Sequence, residues 1–145
     1  MVIHTKLLPY KSADLFDLVK DVESYPRFLP WILSSVVYKK TEKNFFADLT
    51  LRNPKIIYSS FVSFSPFHIQ AQSSGFPSVR AEWIFRPWQD KCLVIFKLAD
   101  FPVFLKTPIL SFFAPIMKAF EKEAQRRFSS LIAAEANSSA RSFPK

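Results

Sequence analysis

Two histidines, one cysteine and scattered carboxylates are the side chains of this sequence that could carry bond-making chemistry. His4 and His68 fall on separate predicted strands, and neither has a Ser or Cys nucleophile at a spacing that pairs with it. No HExxH, CxxC or DxD-type run is present, so the spacing gives no support to metal catalysis. Asp17, Asp21 and Glu23 lie along the outer side of a predicted helix and its end, where a solvated charge is the expected role. Cys92 alternates with Val94 and Phe96, which reads as a small buried hydrophobe whose thiol is inert. A single Cys forms no internal disulfide and suits a reducing compartment. A dinucleotide fingerprint needs three glycines and a P-loop two, whereas the 145 residues contain 1 Gly, so neither phosphate cradle is present. Catalysis, a catalytic cofactor and a bound metal are therefore not expected.

The elements that would position these groups can be read from periodicity. Val2–Tyr10 is a first strand, stopped by Pro9. A helix follows, with Ser12 as N-cap, Asp14 in the first turn, and Leu15, Val19 and Val22 on one face. The run from Glu23 to Trp31 holds two prolines, three aromatics and a leucine, which suits a short second helix or a tight ordered turn. The period then turns toward two over six segments: Val36–Lys40, Phe45–Arg52, Ile56–Phe64, Phe67–Gln72, Val79–Arg86 and Cys92–Leu98. Short linkers between them imply antiparallel hairpins. Phe45, Ala47, Leu49 and Leu51 oppose Asp48, Thr50 and Arg52, so one sheet face is apolar.

A last helix is expected from a Thr107 cap and Pro108 to about Glu135, with Pro115 kinking or dividing it. Its inner stripe includes Phe113, Met117, Phe120, Ala124 and Phe128. Glu121, Glu123, Lys118, Lys122, Arg126 and Arg127 read as its mixed wet face, with Glu123 and Arg127 a favourable i, i+4 pair. Residues 1–136 would form one domain and 137–145 a flexible basic tail. No apolar run is long enough to span a bilayer and no N-terminal signal is visible, so a cytoplasmic protein is expected, at most peripheral at the inner membrane.

Together these elements form an α+β helix-grip fold, a curved antiparallel sheet wrapped around a long C-terminal helix. Hydrophobic residues reach 49%, and 17 Phe is a large excess. A strongly bent sheet and a straight helix do not pack everywhere, so the aromatics can line a ligand cavity as well as fill a core. An AT-rich coding sequence would also raise Phe and Lys. The net charge of +8 fits a polyanionic partner, whether nucleic acid, ribosome or anionic membrane, as well as simple solubility.

The block from Leu15 to Trp31, LFDLVKDVESYPRFLPW, closely resembles the LFxLVxDVExYPxFLPW segment of coenzyme Q-binding START-like proteins and the bacterial RatA group, also labelled oligoketide cyclase or lipid-transport proteins. Ser35-Val36-Val37, Tyr58-Ser59-Ser60, Trp83–Pro87, Cys92–Phe96 and Met117–Ala124 fall where that family shows its other motifs. The resemblance covers roughly Ile3 to Leu131. Ile32 replaces a usual Cys, Gly75-Phe76-Pro77 inverts a G-P-F order, and Asp100–Lys106 is longer than the family's turn. These departures bear on strand ends and the pocket mouth.

What the resemblance implies is a START-like domain that binds ubiquinone or another lipid without chemistry and supports respiratory electron transfer. Candidate ligand contacts are Phe28, Leu29, Trp31, Leu49, Trp83, Phe85, Val94, Phe96, Phe113, Met117 and Phe120. Phe28, Leu29 and Trp31, with Phe112 and Phe113, are the candidate entrance or membrane-facing lip. The RatA branch implies an alternative, a toxin that binds the ribosome and blocks subunit association. A DNA partner is not expected.

Overall fold

The computed structural model describes the backbone of residues 1–52, 55–73 and 78–142, and the side chains of these except at 109, 112, 113 and 130–142. The element order is β1 (Val2–Leu8), α1 (Ser12–Lys20), a 3-10 helix (Val22–Arg27), β2 (Ile32–Tyr38), β3 (Asn44–Leu51), β4 (Ile56–Ser65), β5 (His68–Ser73), β6 (Arg80–Trp88), β7 (Lys91–Ala99), a 3-10 turn (Val103–Leu105) and α2 (Lys106–Ser142). The strands form one curved antiparallel sheet in the order β1-β7-β6-β5-β4-β3-β2. Strands β2 to β7 form the expected meander, and β1 closes the far edge by pairing with β7 from Val2↔Leu98 to Leu8↔Cys92. The fold is the helix-grip arrangement, with α1, the 3-10 helix and α2 on the apolar side of the sheet.

Several expected boundaries move, each for a local reason. Strand β2 begins at Ile32 rather than Val36. Its register against β3 shifts between Ile32 and Ser34, and that bulge interrupts the alternation by which a strand is recognised. Ser12 is not the N-cap: Lys11 holds that position without a side-chain cap bond, while the buried Ser12 hydroxyl turns toward the Cys92 thiol. Helix α2 starts at Lys106, directly after the 3-10 turn, so Pro108 sits in its first turn, where a missing N–H costs nothing. Pro115 does not divide the helix. Its lost bond concerns the Ser111 carbonyl, and both residues are exposed, so water can replace the donor.

With so little glycine, tight turns use Lys39, Phe67, Gln89 and Asp100 in the left-handed region. Phe67, at φ 63°, follows Pro66 in the β4–β5 turn, the position at which a type II turn demands positive φ. Its ring meets Phe16 edge-on at 6.2 Å, and Phe85 N–H donates to its carbonyl at 2.9 Å. The Asn53-Pro54 turn and Gly75-Phe76-Pro77 lie outside the described residues.

Candidate functional site

The inner face of the sheet is filled unevenly. At one end, α1 drives Phe16 edge-on against Phe64 and Phe85, with centroids 6.4 and 6.2 Å away, and Leu15 and Leu18 are buried beside Phe85 and Val94. At the other end, inward positions carry small side chains. Ala47 lies opposite Ser60, Ser60 opposite Ser73, and Ala71 opposite Ala81. Sheet curvature is not matched by bulk there, and a cavity of about 260 Å³ remains under α2.

Its roof is Ile116 and Phe120 of α2, with Tyr25, Leu29 and Trp31 from the segment after α1. That segment is fixed by backbone bonds: Leu29 N–H to the Tyr25 carbonyl at 2.8 Å, Ile32 N–H to Leu29 at 3.0 Å, and Arg52 N–H to Trp31 at 2.8 Å. The Arg52 guanidinium also donates to the Pro30 carbonyl at 3.0 Å. Tyr25 donates its hydroxyl to the Val19 carbonyl, and burial pushes its pKa up, so it stays a neutral donor. Phe120 is the hub of the roof, edge-on to Tyr25 and Phe28 at 5.4 Å each and to Trp83 at 5.2 Å.

Of the residues singled out from sequence, Leu29, Trp31, Leu49, Trp83, Phe96 and Phe120 line this cavity. Phe85, Val94 and Met117 instead border a 20 Å³ crevice beside Leu15 and Leu18, space for about one water, and belong to the packed core. Phe28 stands outside, between Phe120 and the Arg127 guanidinium, which lies 5.9 Å from its ring centre. The side chains of Phe112 and Phe113 lie outside the described residues. Tyr58 and Ser60, noted only within a motif, and the alanines at 47, 71 and 81 were not among the expected ligand contacts, yet they line the cavity. Small residues recurring at inward positions of adjacent strands were the available signal.

Glu123 corrects the expected wet face of α2: it is only 5% exposed. Three residues after Phe120, it falls on the inner side of the helix, where Arg126 holds it at 2.7 and 3.0 Å and Arg127 at 2.9 Å. The Arg126 hydrogen bond leads in keeping its carboxyl below the usual range, against the opposing effect of burial.

The groups considered for chemistry do not converge. His68 stands opposite Ile84, Ile84 opposite Ile95, and Ile95 opposite Thr5, which puts His4 on the other sheet face, three strands away. His68 bonds Glu82 at 2.8 Å on the outer face, and hydrogen bonds from Gln70 and then His68 lower the Glu82 pKa. Cys92 is fully buried, and that burial raises its pKa. Among the described residues no three His, Cys, Asp or Glu side chains gather as a metal site.

The registers also define one end of the sheet, where Leu51, Val79 and Leu98 line the cavity. Leu51↔Ile56, Gln72↔Arg80, Arg80↔Ala99 and Val2↔Leu98 place the β3–β4 turn, the start of β6 and the β7–α2 connection together there. Val103 and Phe104 in that connection are 88% and 70% exposed, and Ile56 and Ile57 are exposed as well. Arg52, Lys55, Arg80 and Lys106 stand at the same end, with Asp100 paired to Arg80 at 3.4 Å. No described helix is long and apolar enough to cross a membrane.

Comparison with known proteins agrees with this architecture. Residues 8–128 match the family described as "Polyketide cyclase / dehydrase and lipid transport". The "Ribosome association toxin RatA" of Rickettsia prowazekii is 31% identical over 140 residues, covering 84% of this chain and 94% of that one. "Coenzyme Q-binding protein COQ10, mitochondrial" of Drosophila melanogaster is 26% identical over 138 residues, covering 84% of this chain and 57% of its own length, so the chain spans little more than half of it. A solved START superfamily protein from Mycobacterium smegmatis superposes with a TM-score of 0.74 at 16% identity, over 86% of this chain and 97% of that one. The chain therefore belongs to the polyketide cyclase/dehydrase and lipid transport family, built on the START-type helix-grip fold.

Proposed function

We propose that this protein binds a hydrophobic ligand, ubiquinone, in the cavity beneath α2 and acts as a non-catalytic lipid chaperone that supports respiratory electron transport. The observation that carries the proposal is the cavity of about 260 Å³, whose walls are almost wholly aliphatic and aromatic. A cavity of roughly 150 Å³ admits benzene. The space here thus suits a substituted quinone ring, stacked near Trp83 and Phe120, and a polyprenyl chain would leave across the end lined by Leu51, Val79 and Leu98. The exposed Val103 and Phe104 with neighbouring Lys106 suit that path at a peripheral contact with an anionic inner membrane. The name of the coenzyme Q-binding relative supports the choice of ligand. Separation of His4 from His68 and the burial of Cys92 favour binding without turnover.

A second proposal is favoured by the RatA relative, which this chain matches over 94% of that protein's length, and by the net charge of +8: association with the ribosome that blocks subunit joining. One experiment separates the two. Organic extraction of the purified protein followed by mass spectrometry should release a stoichiometric quinone. An empty cavity together with salt-sensitive co-sedimentation with a ribosomal subunit would overturn the first proposal and support the second.

A further inference from the structure

Among the described residues, the sheet floor of the cavity carries a polar patch. Tyr58 and Ser60 are successive inward residues of β4, and both line the space. Ser60 lies directly opposite Ser73 on β5. The Ser73 hydroxyl accepts the Val79 N–H at 2.7 Å. The Tyr58 side chain lines the cavity directly. The Ser60 hydroxyl has no hydrogen-bond partner among the described residues and stands beside it. Burial raises the Tyr58 pKa, which keeps its proton in place at neutral pH. In surroundings of Ala, Val, Leu and Trp, donors without acceptors are costly, and a ligand that supplies an acceptor is selected over one that does not.

We infer that Tyr58 and Ser60 form the specificity element of the cavity, a pair of hydroxyls that recognises a carbonyl or ether oxygen on an otherwise apolar ring. The inference rests on the cavity being the ligand site. It excludes bare hydrocarbons as preferred ligands and selects oxygenated rings of the same shape.

Duroquinone and durene share one carbon skeleton and differ in the two carbonyl oxygens, so they serve as the probes. Affinity is read by displacement of the apolar dye N-phenylnaphthylamine from wild type, Tyr58→Phe and Ser60→Ala. Wild type should prefer duroquinone; each substitution should weaken duroquinone about five- to ten-fold and leave durene unchanged, as expected for loss of one hydrogen bond. Ser60→Ala removes no protein hydrogen bond among the described residues, so it remains informative should Tyr58→Phe fail to fold. Equal affinity for both probes, unchanged in the variants, overturns the specificity element and leaves the cavity as a site. Binding of neither probe to wild type overturns the cavity as ligand site, and the specificity element with it.

Discussion

Ala71→Phe tests whether the space beneath α2 is a real cavity. Ala71 faces it from β5, between Val62 of β4 and Ala81 of β6. A phenyl ring needs about 150 Å³, more than half of the 260 Å³ present. At about 24 cal/mol per Å³ of cavity filled, the gain approaches ~3.5 kcal/mol. Overpacking strain subtracts about 1–3 kcal/mol. The variant should therefore be more stable than wild type by about 0.5–2.5 kcal/mol, a rise of roughly 2–8 °C in Tm for a chain of this size. Calorimetry on ligand-extracted protein measures the stability, and dye titration measures the remaining site, with affinity falling at least ten-fold. A folded Ala71→Phe protein that binds dye as wild type does would place the ligand elsewhere. A loss of more than about 3 kcal/mol would mean that the floor is already packed.

Two further outcomes follow from the site's surroundings. Glu123→Gln removes the buried charge that faces Arg126 and Arg127. Because the folded pKa is lowered, the stabilisation is complete above the unfolded value of about 4.5 and is lost as pH falls through the folded pKa below it. The variant should be about 1–2 kcal/mol less stable at neutral pH, and urea titrations should show the difference shrinking below about pH 4.5; a pH-independent difference would refute the charge argument. Phe104→Asp, at a position 70% exposed, should reduce flotation with vesicles containing anionic phospholipid about ten-fold or more, since burying such a ring is worth about 1.5–3 kcal/mol. Unaltered flotation would remove the β7–α2 connection from the membrane contact.

Much of the fold was legible because it follows from local periodicity. The inward alternation through Phe45, Ala47 and Leu49, the helical spacing of Met117, Phe120 and Ala124, and the short linkers each define an element without knowledge of its neighbours. Positions where two local preferences compete were less legible. The bulge after Ile32 hid the start of β2, and Ser12 had good capping chemistry but lies buried inside the first turn, with Lys11 at the cap. Pro115 reads as a breaker, yet exposure makes its lost hydrogen bond tolerable.

The sequence by itself determined which faces are apolar, that glycine-dependent phosphate cradles are absent, and that an aromatic-rich helix must meet an antiparallel sheet. Only the tertiary structure decided which aromatics fill the core and which surround a space. Phe85 and Phe96 have the same inward pattern, but α1 packs its Phe16 ring against the first, while the second borders the region above Ala71 and Ala81. A cavity is a deficit of volume summed over several strands, and neither pattern nor propensity along one strand records it. The same holds for Tyr58 and Ser60: their hydroxyls become a polar patch only because alternate residues of β4 face the cavity under a helix contributed by the far end of the chain.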